Sequence, residues 1–393
     1  MRVALNVEQL VHRPPGGIGR YTAELARLLP VDHDGGSEED PGVELVTFVA
    51  RHRRTTVDDA LRGFALSGPG GLDPVRLALP RPVLYDSWNV LGVPPLGLFH
   101  PRLRELDVVH APSIAVPPHS GVPLIVTVHD AAPLVFPDTY PWRGRWFHRF
   151  GFAAVARRAD VVIAPTQAAA DEITQRTSVR SDRIRIVPHG VTQERVGDDV
   201  VEATRRALDL DAPYVLWVGT LEPRKNLPAL VRAFAEVVRA GDLPHRLVVV
   251  GSKGWLHTVN ELRGPARELG DRILVTDPVP EDVLLALYRG ADLLAFPSLH
   301  EGFGLPVLEA MAQETAVVCS DIPVLHEVAG DTAIFVPPRD VAAWGVVLVD
   351  LLRDDATRDE LAKAGHARAA SFTWQRCAQR TRHVYRQVLA GAT

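Results

Sequence analysis

Two glutamates eight residues apart, Glu301 and Glu309, are the strongest candidates for ligand-binding side chains. They lie in residues 300–309 (HEGFGLPVLE), just after a short apolar segment, 293–296, whose composition is typical of a buried parallel strand. Proline favours the first turn of a helix, so Pro306 predicts that Glu309 lies on a helix and Glu301 in the loop before it. Open α/β sheets bind ligands at the carboxyl ends of their strands, so both carboxylates are expected to line one elongated polar ligand. The alternative is two solvated glutamates on a surface helix.

Two adjacent cations, Arg224 and Lys225, lie in residues 219–226 (GTLEPRKN), after the apolar segment 214–218 and before a helical pattern. Cations favour helix C-termini, so this pair beside a helix start is unfavourable unless an anion joins it. A diphosphate would accept charge-assisted hydrogen bonds from both side chains. A basic pair on the surface is the alternative.

A glycine-rich segment, residues 16–21 (GGIGRY), follows the first predicted strand and opens a helical pattern. Glycines let the backbone approach a ligand, and the free N–H groups of a helix N-terminus favour an anion. The spacing is not that of the GxGxxG dinucleotide fingerprint. A glycine turn that only packs is the alternative.

His129 and Asp130 end the apolar segment 124–128. His129 is interpreted as a polar contact to a ligand, or as a neutral histidine satisfied at a strand end. Asp130 could orient that imidazole or cap the next segment. The chain has no G-x-S-x-G elbow for a Ser-His-Asp hydrolase, and no His/Asp cluster with metal-ligand spacing, so we expect neither that hydrolase nor a metal site.

Short β-branched segments alternate with helical patterns along the chain, which predicts parallel α/β sheets. The predicted strands are residues 3–7, 43–50, 75–79, 107–110, 124–129, 161–164, 184–187, 214–218, 247–250, 273–276, 293–296, 316–320 and 333–336. The predicted helices are residues 19–29, 142–158, 226–239, 281–290, 341–353 and 375–389.

The length of 393 residues exceeds that of most single cores and predicts two domains. The break is expected between residues 190 and 212, where a polar stretch separates two strand patterns. Residues 33–41 and 66–82 are rich in glycine, proline or polar residues and are expected to be loops. The predicted architecture is two doubly wound domains with a cleft between them.

The net charge of −5 gives no overall attraction to nucleic acid. Two cysteines cannot form a disulfide framework, and with no signal-peptide pattern they predict a reducing, cytoplasmic setting. No apolar run reaches the roughly 20 residues that span a bilayer. The predicted helix 142–158 carries arginines together with tryptophan and phenylalanine, which suits peripheral contact with the inner face of a membrane, or an ordinary helix with a basic outer face.

The motifs together resemble the family-4 glycosyltransferases, retaining enzymes of the GT-B fold that use nucleotide-sugar donors. The family's glutamate-x7-glutamate motif matches Glu301 and Glu309, and its Arg-Lys pair matches Arg224 and Lys225. The resemblance covers nearly the whole chain. It implies an acceptor-binding Rossmann-like domain, a nucleotide-sugar-binding one, and a C-terminal helix that crosses back to the first domain. The corresponding bounds are residues 1–195, 196–372 and 373–393.

The resemblance also implies site roles. Glu309 would hold the donor ribose and Glu301 the hydroxyls of the transferred sugar, while Arg224 and Lys225 grip the diphosphate. Gly17 would bring its loop over the diphosphate, and His129 would contact the transferred sugar or acceptor, so that Glu301, His129, Arg224 and Lys225 form the catalytic group. The remaining donor-binding positions, mostly backbone contacts, are Gly219, Val279, Gly302, Phe303, Gly304 and Leu305. The chain departs from the family pattern in having His189 for asparagine and Pro278 for glycine.

The function implied is retaining, metal-independent transfer of a sugar, with no cofactor, from a nucleotide diphosphate to an acceptor hydroxyl. The resemblance to mannosyltransferases makes GDP-mannose the expected donor. The acceptor is a glycan, a lipid-linked molecule or a small molecule, and nucleic acid is not an expected partner. The alternatives are a nucleotide-sugar 2-epimerase and a non-catalytic nucleotide-sugar-binding protein.

Overall fold

The computed structural model describes residues 1–12, 16–30, 42–252, 267 and 269–391. The chain divides into two compact units. The first comprises residues 1–137, 141–190 and 374–393, and the second comprises residues 138–140 and 191–373. The loop expected at residues 33–41 lies outside the described residues.

Strands and helices alternate through both units. The strands are β1 Arg2–Asn6, β2 Glu44–Val49, β3 Val75–Arg76, β4 Val108–Ala111, β5 Leu124–Thr127, β6 Val161–Ala164, β7 Ile184–Ile186, β8 Tyr214–Val218, β9 Arg246–Val250, β10 Ile273–Thr276, β11 Leu293–Phe296, β12 Val317–Ser320 and β13 Ile334–Val336. The helices are α1 Gly16–Leu28, α2 Arg54–Gly63, α3 Arg81–Leu91, α4 Ala132–Val135, α5 Trp142–Arg158, α6 Gln167–Arg176, α7 Asp198–Ala207, α8 Leu227–Ala240, α9 Glu281–Arg289, α10 Leu305–Ala312, α11 Pro323–Ala329, α12 Val341–Arg353, α13 Asp355–Ala369 and α14 Trp374–Leu389.

The first unit contains a parallel sheet of seven strands in the order β3-β2-β1-β4-β5-β6-β7. Each strand predicted for this half is present, which confirms the doubly wound α/β prediction. The edge strand β3 is shorter than the predicted segment 75–79. Beyond it the pairing with β2 continues irregularly, through Leu77 N–H to the Val49 carbonyl and Arg51 N–H to the Leu79 carbonyl, until Pro80 ends the segment.

The second unit contains a parallel sheet of six strands in the order β10-β9-β8-β11-β12-β13. Successive side chains of β8 enter the cores on its two faces: Tyr214 and Leu216 pack with α10, and Val215 and Trp217 pack with α8 and α12. A strand buried on both faces is apolar throughout, which is why these strands were predictable from composition alone.

Several helices were not predicted from the sequence, and most of them are short or polar. Helix α7 begins at Asp198, inside the stretch expected to be a polar linker, and carries Asp198 and Asp199 in its first turn, where they complement the helix dipole. Helix α3 begins at the end of the expected loop 66–82. The other helices not predicted are α2, α4, α6, α11 and α13.

Helix α14 follows the second unit in sequence but belongs to the first, where it packs against α1. Its buried face includes Val384, Tyr385 and Val388. Tyr385 Oη lies 2.7 Å from Nδ1 of His110, whose Nε2 lies 2.8 Å from Thr127 Oγ1. A buried chain of polar contacts therefore ties α14 to strands β4 and β5.

Burial lowers the pKa of His110 to about 3, against about 6.5 when unfolded. The unfolded chain then binds a proton that the folded unit excludes, so the free energy of unfolding should fall as pH drops below 6.5, by about 2 kcal/mol at pH 5. We expect His110→Gln to show a smaller loss between pH 7 and pH 5 in urea unfolding. His119→Gln, at an exposed histidine, should keep the wild-type loss. An unchanged loss in His110→Gln would contradict this prediction.

Candidate functional site

The order of the second sheet reverses between β8 and β11, the central pair. Ligands bind in open α/β sheets at the carboxyl ends of the strands at such a reversal. The loops that leave β8 and β11 there carry Arg224, Lys225 and Glu301. Leu299 N–H donates to the Arg224 carbonyl at 2.7 Å, so the backbone itself joins the two loops.

Both predicted cations contact the loop carboxylate. Lys225 Nζ donates to Glu301 Oε1 at 2.5 Å, and Arg224 Nη1 lies 3.5 Å from Glu301 Oε2. Arg224 Nη1 also donates to the His300 carbonyl at 3.2 Å, and its Nε lies 2.8 Å from Glu222 Oε1. The prediction that these cations need a ligand anion is therefore wrong, because the protein supplies two carboxylates of its own.

The cations do not occupy the first turn of a long helix. They end a single 3-10 turn, Pro223–Lys225, and α8 begins after Asn226. Asn226 has a φ of 55°, and its Nδ2 donates to the carbonyls of Pro297 and Pro338. This residue therefore reverses the chain before α8 and fastens the cationic turn to the loops after β11 and β13.

Electrostatics keep Glu301 ionised despite its burial. Burial alone would raise its pKa, but the charges of Lys225 and Arg224 outweigh that effect and hold the pKa below its usual range. Burial, with the neighbouring charge of Arg224, lowers the pKa of Lys225, and Glu301 opposes that shift. The two side chains therefore depend on each other for their charged states.

Helix α10 begins after Gly304, and Pro306 lies in its first turn, as predicted. Gly304 has a φ of +91°, a backbone conformation that is strained for any residue with a side chain. A Cβ there would also lie 2.6 Å from Leu325 Cδ2 and would clash with it. Glu309 lies on the helix and is buried, and its Oε2 accepts a hydrogen bond from Tyr288 Oη at 2.8 Å. The two glutamates thus occupy the loop and the helix, as the sequence predicts.

The other predicted donor contacts of this unit are distributed around the same edge. Gly219 follows β8 directly, and Gly302 lies in the loop between Glu301 and α10. The ring of Phe303 is buried against Phe372, with ring centroids 6.0 Å apart. Leu305 opens α10, and Val279 follows the edge strand β10, two strands from β8.

Gly17 and His129 belong to the first unit. Gly17 is exposed in the first turn of α1, where backbone N–H groups lack helical acceptors. His129 Nε2 lies 2.9 Å from the Pro112 carbonyl, an acceptor, so Nε2 carries the proton. Nδ1 lies 3.0 Å from His189 Nε2, so both ring nitrogens have protein partners. This favours the alternative of a satisfied histidine at a strand end.

Asp130 Oδ1 accepts the N–H of Ala132, the first residue of α4, at 2.9 Å, although the N-cap residue of that helix is Ala131. His189 and Tyr21 surround His129, with ring centroids 5.0 Å from it. Burial lowers the pKa of both His129 and His189, so both rings are neutral near pH 7.

Sequence reasoning missed several residues of the site in the second unit. Glu222 lies inside the quoted motif, but nothing in its spacing showed that it would contact Arg224. Tyr288 comes from α9, a helix whose only sequence signal was its apolar period. Asn226 ended the motif, and asparagine's tolerance of positive φ was the available signal.

Helix α5 presents aromatic and basic side chains. Trp142 is 73% exposed and Trp146 is 37% exposed, while Phe152 near the other end is buried. Arg143 pairs with Asp86 at 2.7 Å. Within the part of the chain that the structure describes, no helix is both long and apolar enough to cross a membrane, and no three His, Cys, Asp or Glu side chains form a group able to hold a metal ion.

Comparison with protein families gives two matches. A model described as "Glycosyltransferase Family 4" matches residues 15–195, and one described as "Glycosyl transferases group 1" matches residues 201–368. The two matches together span most of both units.

Individual proteins give the same assignment. The O-antigen chain mannosyltransferase B of Escherichia coli is 26% identical over 98% of this chain and 100% of its own. The D-inositol 3-phosphate glycosyltransferase of Xylanimonas cellulosilytica is 34% identical over 95% and 92%. The solved sucrose-phosphate synthase of Thermosynechococcus elongatus superposes with a TM-score of 0.74 at 22% identity, covering 100% of each chain, which supports the fold.

Proposed function

Since this chain belongs to the family-4 glycosyltransferases of the GT-B fold, we propose that it transfers mannose from GDP-mannose to an acceptor hydroxyl with retention of configuration. The single observation that carries the proposal is the contact of Lys225 and Arg224 with Glu301 at the sheet reversal of the second unit. The mannosyltransferase relative supports the choice of sugar.

The proposed chemistry is electrostatic. The departing diphosphate gathers negative charge as its bond to the sugar breaks, and positioned cations stabilise such charge best in a site that excludes water. Arg224 and Lys225 are the cations proposed for that role, so the reaction needs no metal ion. Glu301 is proposed to bind the sugar hydroxyls, and Glu309, steadied by Tyr288, to bind the ribose.

Retention is proposed to follow from attack on the face that the leaving group departs from. The leaving phosphate oxygen would then accept the proton of the acceptor hydroxyl. This path requires no protein nucleophile, which agrees with an ionised Glu301 already paired with Lys225 and Arg224.

The acceptor is proposed to be a glycan, a lipid-linked molecule or a small molecule, as in the biosynthesis of glycans, glycolipids or glycosylated metabolites. A lipid-linked acceptor would bring the exposed Trp142 and Trp146 to a membrane surface, where indole rings and arginines are both favourable. The two alternatives are a nucleotide-sugar 2-epimerase and a non-catalytic binding protein. The Glu-x7-Glu pair together with the Arg-Lys pair favours transfer over both.

Incubating the protein with a panel of nucleotide sugars, with and without acceptors free or in vesicles, tests the proposal. We expect GDP-mannose to give the largest thermal shift and GDP to be released with an acceptor present. The anomeric configuration of the product, read by NMR, should match that of the donor. An isomeric nucleotide sugar formed without acceptor would establish the epimerase instead, and release with a different donor would overturn the choice of mannose.

A further inference from the structure

Glu222 is a second buried carboxylate beside the two cations, and the transfer chemistry gives it no role. Its side chain is only 5% exposed, and its Oε1 lies 2.8 Å from Arg224 Nε. Glu301 approaches the same guanidinium at Nη1. Arg224 is therefore held between two carboxylates.

Glu222, Arg224, Lys225 and Glu301 form a charge quartet with two positive and two negative members. Its net charge is zero before any ligand arrives. A diphosphate that binds the cations must do so close to both carboxylates. At several ångströms and an effective dielectric of about 20–40, one such like charge changes a binding constant by about 10-fold.

The nucleotide-sugar donor and the nucleoside diphosphate product differ in charge, so the carboxylate of Glu222 repels them to different extents. The diphosphate of a nucleotide sugar is esterified at both ends. The product nucleoside diphosphate has a free terminal phosphate that loses a second proton near pH 6, so it carries about one more negative charge at pH 7.5. A fixed carboxylate next to the diphosphate therefore opposes the product more strongly than the donor.

We propose that Glu222 is a selectivity residue whose negative charge favours the nucleotide-sugar donor over the nucleoside diphosphate product and so promotes product release. The inference rests on the proposed function for the nucleotide involved, and on the geometry of the charge quartet for the effect itself. Glu222 acts through its charge on the bound diphosphate and takes no part in bond making or breaking.

The test is isothermal titration of wild type and Glu222→Gln with GDP, GDP-mannose and inorganic pyrophosphate at pH 7.5. Glutamine keeps the size of the side chain and removes its charge. We expect all three ligands to bind more tightly, with GDP and pyrophosphate gaining about 10-fold more than GDP-mannose because of their one extra negative charge. Product inhibition by GDP should strengthen in parallel. Asp242→Asn removes a carboxylate from an exposed pair with Arg353 after α8 and should change none of these affinities.

Three results would overturn the inference. If Glu222→Gln binds GDP and pyrophosphate with wild-type affinity, the charge of Glu222 does not affect the bound diphosphate. If the variant binds them more weakly, Glu222 instead positions Arg224 for the ligand. If wild type binds neither GDP nor GDP-mannose, the proposed donor is wrong, but the change in pyrophosphate affinity still tests the role of Glu222. If wild type does not bind pyrophosphate, the inference on Glu222 is wrong. Glu222→Ala, a second neutral variant, gives the same sign if Glu222→Gln does not fold.

Discussion

Replacing Lys225 by methionine is expected to reduce the rate of sugar transfer by about 100- to 1,000-fold, the usual effect of deleting one donor that stabilises developing charge. Methionine keeps the length of the side chain and removes its ammonium group. The proposed diphosphate then loses a cation, and Glu301 loses its 2.5 Å partner. Turnover at saturating GDP-mannose measures the first effect.

The same substitution should lower the free energy of unfolding by about 3–5 kcal/mol, because it leaves a buried carboxylate without its close partner. In wild type the pKa of Glu301 is depressed, so its contribution to stability is present above the unfolded pKa and is lost as pH falls through the folded one. Without Lys225, Arg224 is the nearest remaining charge that opposes the rise in this pKa caused by burial. The stability difference between the two proteins should therefore shrink from pH 7 to pH 4.

Lys363→Met provides the matched control, since Lys363 is an exposed lysine on α13. It should keep wild-type turnover and stability at both pH values. A Lys225→Met variant with near-normal turnover would show that the diphosphate binds elsewhere. A stability difference independent of pH would show that Glu301 does not need the cation.

Glu309→Ala should weaken the binding of free GDP by about 10- to 100-fold, the loss of one or two hydrogen bonds to a charged group. Glu301→Ala should leave GDP affinity nearly unchanged, because it removes a negative charge beside Lys225 but also the partner that favours the charged lysine, and should instead impair use of the complete donor. Titration calorimetry with GDP and turnover with GDP-mannose separate the two variants. Equal losses of GDP affinity would refute this division of roles.

Tyr288→Phe refines that comparison. It removes only the hydroxyl that donates to Glu309 at 2.8 Å and keeps the carboxylate itself. We expect a smaller loss of GDP affinity than in Glu309→Ala. If Tyr288→Phe loses as much GDP affinity as Glu309→Ala, the orientation of the Glu309 carboxylate determines nucleotide binding, and its presence alone is not enough.

The strands were predictable because parallel strands buried on both faces must be apolar throughout, as in β8 and β11. Pro306 and its preceding glycines located the start of α10 for an equally local reason. Helices such as α13 were not predictable, because a polar helix at the surface owes its stability to packing that sequence periodicity does not display.

The residues of the site also fall into those that the sequence predicts and those that it does not. Residue type and spacing identified the carboxylates and cations, because Arg224, Lys225 and Glu301 belong to loops leaving strand ends and Glu309 to the helix that follows. Which cation would meet which carboxylate depends on the order of the strands. Tyr288 became visible as a partner of Glu309 only once α9 had been placed against α10, and the Glu222–Arg224 contact depends on how the loop after β8 turns at residues 223–225. The pairing of His129 with His189 likewise joins segments sixty residues apart.

The position of α14 has a consequence for how the chain is made. Its Tyr385 completes a buried contact with His110, yet the ribosome produces it only after the whole second unit has been synthesised. At about 5–20 residues per second, the roughly 180 residues of that unit delay this contact by about 10–40 s. During that interval the nascent first unit exposes the surface that α14 later covers. The second unit can complete its fold first, so the N-terminal half of this protein is expected to reach its native state last.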